Sequence, residues 1–236
     1  AARVADRFRL DPDRVVVIHN GVDPKIFSPA ARNGRMRTEL PQRYVASIGS
    51  YLPRKGHRLL LEAFSAIAAE FPDTSLVIAG MAGPEHRFLL ERAAQLGLAD
   101  RLACFVGLTH ADTASLLAGA EVCVQPAYAE PFGLAIIEAG ACGVPVAASA
   151  VSGHTELLKD GDTGFLFPAG DQAACVALLR QLLYDRESAT RAAGRFRAEV
   201  LQEFGWRDCA QAYFALNVAA APTVHRSESL EGSAAR

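Results

Sequence analysis

A chain of 236 residues, 50% hydrophobic and 21% charged, is long enough for one large or two small domains with real cores, which excludes a disordered or collagen-like chain. Twenty-four Lys and Arg against 26 Asp and Glu leave a net charge of −2, without the basic surplus of a general nucleic-acid binder. Five cysteines with no C-x-x-C pair argue against a disulfide scaffold, a zinc site or a thioredoxin-like motif, and read as buried thiols in a reducing cytosol. No run of roughly 18 apolar residues predicts a membrane span.

Residues 1–10 interleave Arg3, Arg7 and Arg9 with Val4, Ala5 and Phe8. That spacing predicts the end of an amphipathic helix rather than a signal peptide. Short apolar, β-branched runs then predict strands at 15–18, 44–48, 76–79, 102–106, 122–124, 144–147 and, shorter, 165–167. Between them, helical spacing predicts helices at 59–68, 87–96, 113–120, 134–142, 173–184 and 188–204, with an Ala-rich helix at 210–221. Residues 28–43 read as a Pro- and Arg-bearing loop, and the polar residues 222–236 as a disordered tail. The strand runs are nearly continuous in apolar residues, as in strands buried on both faces. Strand and helix alternate without a linker between 44 and 184. The fold class is therefore α/β, a doubly wound, Rossmann-like and mostly parallel sheet of about six strands.

Ligands in such sheets bind beyond the carboxyl ends of the strands. That rule singles out the loops at 50–56, 81–84, 108–109, 127–133 and 150–156. P-loop, G-x-G-x-x-G, G-x-S-x-G and H-E-x-x-H motifs are all missing, as are clustered His and Cys ligands. Two D-x-D triplets, Asp11-Pro12-Asp13 and Asp160-Gly161-Asp162, sit in Pro or Gly contexts and read as turns rather than metal sites.

The strongest feature runs from Tyr128 to Ala139, after an apolar strand and into a helix. Pro131 suits the helix start, and Gly133 allows a ligand to approach the backbone. Free amides and the dipole at that start favour a phosphate. Glu130 lies in the loop just before. Glu138 lies inside the helix among Ile136, Ile137 and Ala139, where packing explains a carboxylate poorly. A hydroxyl-rich ligand would give it partners; a capping acid and a solvated glutamate are the plain alternative, equally weighted on these residues alone. A second feature, Ser50-Tyr51-Leu52-Pro53-Arg54-Lys55-Gly56, puts a basic pair between strand and helix. A lysine there can hold phosphate as a point charge, or simply be solvated.

Together these residues resemble the C-terminal, donor-binding domain of a GT-B glycosyltransferase, and most closely the retaining family 4, the group 1 glycosyltransferases. The similar segments come in order: Asn20-Gly21-Val22-Asp23 with Phe27; Lys55-Gly56 followed by residues 60–64; Glu130-Pro131-Phe132-Gly133-Leu134 with Glu138 as E-x7-E; Gly143-Val144-Pro145-Val146; Ser152-Gly153 with Glu156; and Gly161 with Gly164-Phe165-Leu166. They cover about residues 14–185.

The resemblance implies a metal-independent, cofactor-free transfer of a hexosyl group from a UDP-, GDP- or ADP-sugar, with retention and no covalent enzyme intermediate. It implies Lys55 on the diphosphate, Glu138 on the ribose hydroxyls, Gly133 and Leu134 amides on the donor beside Phe132, and Glu130 against the transferred sugar. The base would lie near Leu108 and Gly80. Lys55 and Glu130 would be the catalytic pair. Many members carry an arginine where Ser50 stands. Arg54 as its substitute, weaker phosphate binding, and a subgroup with a small hydroxyl residue are three readings of that change. His154 either faces the sugar or is a local variation. On this likeness residues 1–13 end a helix of a missing N-terminal half, and 14–221 form the donor-binding domain. The acceptor-binding partner domain is then absent and the chain alone transfers little. Location would be cytoplasmic, with any contact to the inner membrane face made through the other domain. Two competing readings are another GT-B enzyme, such as a sugar-nucleotide epimerase or a phosphorylase, and a non-catalytic module that binds sugar nucleotide or a partner protein.

Overall fold

A computed structural model describes residues 2–220. The chain divides into two units, His19–Trp206 and Ala1–Ile18 with Arg207–Arg236. The smaller unit holds helix α1 (Ala2–Phe8) and the turn Pro12–Arg14, in which the Asp11 carboxylate accepts from the Asp13 amide at 3.1 Å. The first D-x-D triplet is thus a turn, as its residues predict. The run 15–18 forms no strand, and Val16 and Val17 are exposed. A β-branched run favours extended backbone, but a strand also needs a partner ladder. The expected tail at 222–236 lies outside the described residues.

The larger unit alternates strand and helix. In order come β1 (Arg43–Ile48), α2 (His57–Ile67), β2 (Thr74–Gly80), α3 (Glu85–Gln95), β3 (Leu102–Val106), α4 (His110–Gly119), β4 (Val122–Gln125), α5 (Leu134–Ala141), β5 (Val146–Ser149), α6 (Ser152–Leu157), β6 (Phe165–Phe167), α7 (Gln172–Tyr184) and α8 (Arg186–Glu203). A last helix, α9 (Trp206–Ala220), belongs from Arg207 onward to the smaller unit. The strands pair in the order β3-β2-β1-β4-β5-β6, and every pairing is parallel. This is the doubly wound order, with its switch point between β1 and β4.

Helices cover both faces. On one, Leu60, Phe64, Ile78 and Leu179 form a cluster with no more than 1% exposure; on the other, Leu117, Ile136, Ile137 and Phe196 do the same at 0%. Strands so enclosed need apolar residues at successive positions, which is why they read as continuous runs. Burial pushes the thiols of Cys123, Cys142 and Cys175 up to about 12, so they are packing groups rather than nucleophiles.

Three local differences separate expectation from structure. The sixth predicted strand shifts from 144–147 to Val146–Ser149, because Pro145 has no amide to enter a ladder. Helix α6 forms where a loop was expected. Residues 28–43 hold two 3-10 turns, Pro29–Asn33 and Arg35–Thr38, not a plain loop. No described helix is long and apolar enough to cross a membrane. No described group of three or more His, Cys, Asp or Glu residues could hold a metal ion. The second D-x-D triplet is also a turn: the Asp160 carboxylate accepts from the Leu166 amide at 2.8 Å.

Candidate functional site

At the switch point, the loops after β1 and β4 part around a cavity of about 420 Å3, within the range of about 300–1,000 Å3 for small-molecule sites. The first loop tightens into the 3-10 turn Pro53–Lys55 and ends on Gly56 at φ +72°. A Cβ on Gly56 would stand 2.0 Å from the Pro126 carbonyl oxygen, so only glycine lets the two loops close. The Tyr128 amide donates to the Arg54 carbonyl at 2.8 Å and fastens them.

That closure brings Lys55 to Glu130. Their Nζ and Oε2 atoms are 2.5 Å apart, and each side chain is 15% exposed. The chain then passes Pro131 and Phe132 to Gly133, which caps α5 at φ +115°. The helix starts at Leu134, three residues beyond Pro131; the expectation that Pro131 opens it is corrected, since the tight reversal is made by Gly133. The Ile136 amide donates back to Gly133 at 2.9 Å. Those of Leu134 and Ala135 precede any helical carbonyl they could reach.

Glu138 lies one turn further along α5 and is half-buried at the cavity wall. Among the described residues its carboxylate has no hydrogen-bond or ion-pair partner. Burial raises its pKa, with a smaller opposing effect from His110 at the start of α4. A carboxylate built into a packed helix and left without a protein partner is what a hydroxyl-bearing ligand would satisfy.

A smaller hollow of about 190 Å3 shares Ile48 and Glu138 with the cavity and extends past Gly80, Gly107 and Leu108. Ser50, Lys55, Glu130, Phe132, Gly133, Leu134 and Glu138 therefore line the main cavity, and Leu108 the hollow beside it. Arg54 is exposed and lines neither.

The structure adds Asn20 and Gln125, to which the sequence reading gave no role, and places His154, which that reading left between two alternatives. Asn20 lines the cavity, although it was noted only as part of a motif. Gln125, 5% exposed at the end of β4, prolongs the ladder: with its amide oriented to suit both partners, it donates to the Ile48 carbonyl at 3.0 Å and accepts from the Ile48 amide at 3.1 Å. A lone amide side chain at the end of an apolar strand was the available signal. His154 is 1% exposed, lines the cavity, and has Nδ1 2.9 Å from the Ser149 carbonyl oxygen. Burial lowers its pKa, against the pull of that carbonyl. Gly153, beside it, donates to the Glu130 carbonyl at 3.1 Å and fixes that loop.

Residues 35–197 match the family model described as glycosyl transferases group 1. A D-inositol 3-phosphate glycosyltransferase of Salinispora tropica is 35% identical over 204 residues, 78% of this chain and 42% of its own length. A sucrose-phosphate synthase of Thermosynechococcus elongatus superposes over 93% of this chain and 57% of its own, with TM-score 0.80 and 29% identity. The C-terminal domain of a group 1 glycosyl transferase, LpcC, from Francisella tularensis shares the fold over 78% of this chain and 99% of its own, with TM-score 0.70 and 24% identity. The chain thus spans well under half the length of the curated relatives it matches.

Proposed function

The chain belongs to the group 1 glycosyl transferases, and from that premise we propose that the switch-point cavity holds the donor, a nucleotide diphosphate sugar, in a retaining, metal-independent hexosyl transfer. The observation that supports this most is the convergence on one cavity of Lys55, the start of α5 and the unpartnered Glu138. In this reading the diphosphate lies between Lys55 and the Leu134 and Ala135 amides. Glu138 accepts the ribose hydroxyls, with the base directed toward Leu108. Glu130, already against Lys55, meets the transferred sugar, beside His154.

Departure of the nucleotide builds negative charge on the diphosphate. The Lys55 ammonium and a helix N-terminus stabilise that charge, which lowers the barrier. Ser50 adds only a hydroxyl on this wall, so Lys55 carries the main cationic role. Sugar nucleotides of this class would place the reaction in the cytoplasm. Turnover would require the acceptor-binding half that the longer relatives have room for.

The test is calorimetric titration of the chain with UDP, GDP and ADP in EDTA, repeated with Lys55→Ala. Saturable binding of one diphosphate in EDTA, weakened at least tenfold by the substitution, is the expected result. Binding that needs a divalent metal, or that Lys55→Ala leaves intact, would refute the mechanism.

A further inference from the structure

At the other end of the sheet lies a separate hollow of about 320 Å3. Tyr44, from the first half of β1, lines it, whereas Ile48 at the last residue of β1 lines the donor cavity. Ser115 and Gly119, from the second half of α4, also line it, whereas His110 at the start of α4 lines the donor side. The two ends do not communicate through any shared lining residue.

The chemistry of this hollow is one-sided. Arg32 and Arg37 contribute guanidinium groups and Gln42 an amide, and none of its lining residues is acidic. Neither arginine has a carboxylate partner among the described residues; Arg37 donates only to the Asn33 amide oxygen at 3.2 Å. Arg35, between them, is committed elsewhere, to Asp112 at 2.6 Å. That pair fastens the second 3-10 turn to α4. Gly34 joins the turns, and a Cβ there would stand 2.9 Å from Ser115 Oγ.

Ser115 is the second, independent observation. It is 2% exposed, and its hydroxyl has no hydrogen-bond partner. A buried hydroxyl is nearly always satisfied, so one left unpartnered in a residue that lines a hollow points to a ligand atom. Leu40 and the buried ring of Tyr44 supply an apolar side.

We infer that this hollow is a second ligand site, one for a small phosphomonoester, with the phosphate on Arg32 and Arg37 and a hydroxyl of the ligand's body at Ser115. Guanidinium groups suit a phosphate because their forked donors match its oxygens. The site is independent of the donor cavity and does not rest on the reading given to it.

The test uses the chain carrying Lys55→Ala, so that the donor cavity does not compete. Glucose 6-phosphate and inorganic phosphate are titrated separately by calorimetry and by amide NMR. The expected result is one saturable site with a Kd of about 1 mM or tighter, with shifts confined to residues 32–44 and 115–119. Arg32→Ala with Arg37→Ala should weaken it at least tenfold, and Ser115→Ala several-fold. Tighter binding of glucose 6-phosphate than of phosphate supports an organic body in the hollow; equal binding supports a site for the anion itself. No saturable binding of either probe, or binding that the double arginine substitution leaves unchanged, overturns the inference. The arginines are exposed and Ser115→Ala removes an unpartnered group, so these variants keep the fold.

Discussion

Lys55 Nζ and Glu130 Oε2 stand 2.5 Å apart, although 75 residues separate them in the chain. They pair with each other at the wall of the switch-point cavity. A ligand diphosphate that recruits Lys55 must therefore share it with, or take it from, Glu130. Lys55→Ala strips a mostly buried carboxylate of its cation, and should lower unfolding stability by about 1–3 kcal/mol in urea titration. Adding Glu130→Gln to Lys55→Ala should recover most of that loss, because no lone charge remains. If the single and double variants lose stability equally, the pair is not coupled.

Glu138 should show a conflict between stability and binding. Burial raises its pKa in the folded chain. Between the unfolded and folded values the folded state binds the extra proton, so stability falls as pH rises through that window and stays low above it. Glu138→Gln should then stabilise the chain by about 0.5–1 kcal/mol at neutral pH. It should weaken nucleotide diphosphate binding about tenfold. Thermal melts and calorimetry on one sample test both signs; a variant that is less stable and binds normally would contradict the assignment.

Gly133 is held at φ +115° where α5 begins, and a Cβ there would lie 3.1 Å from Leu157 Cδ1. Gly133→Ala should cost about 1–2 kcal/mol through backbone strain. It should also turn the Leu134 amide, so that diphosphate affinity falls by more than the stability change explains. Urea unfolding together with titration of the folded variant separates the two effects.

His57 opens α2, 2% exposed, with Nδ1 unpartnered. Burial lowers its pKa to about 4, with Lys55 adding to the shift. A depressed histidine contributes stability that is present above its unfolded value near 6.5 and is lost as pH falls through about 4. The chain should lose roughly 3 kcal/mol from this group across that window. His57→Phe, which cannot take up the proton, should flatten that part of the stability–pH curve. An unchanged acid limb would show that His57 does not set it.

Six of the seven predicted strands exist, and each main predicted helix of the larger unit is present within a few residues. These elements were legible because burial on both faces forces apolar residues at successive strand positions, and because Gly97 and Gly143 at positive φ end their helices. Residues 15–18 misled because a β-branched run reports a backbone preference, not a neighbouring strand. Gln125 and His154 gave weak signals, since one polar residue in an apolar stretch reads equally well as a satisfied core group.

By itself, then, the sequence determined the alternating α/β order and the chemical groups the loops carry: Lys55, Glu130, Gly133 and Glu138. Those follow from local pattern, whose cause lies within a few residues. Which groups meet was decided only by tertiary structure. Gly56 passing under the Pro126 carbonyl sets Lys55 on Glu130, α5 packing leaves Glu138 without a hydrogen-bond or ion-pair partner among the described residues, and Arg32, Arg37 and Ser115 come to line one hollow. Each depends on contacts between distant segments, which exist only once the sheet brings their ends together.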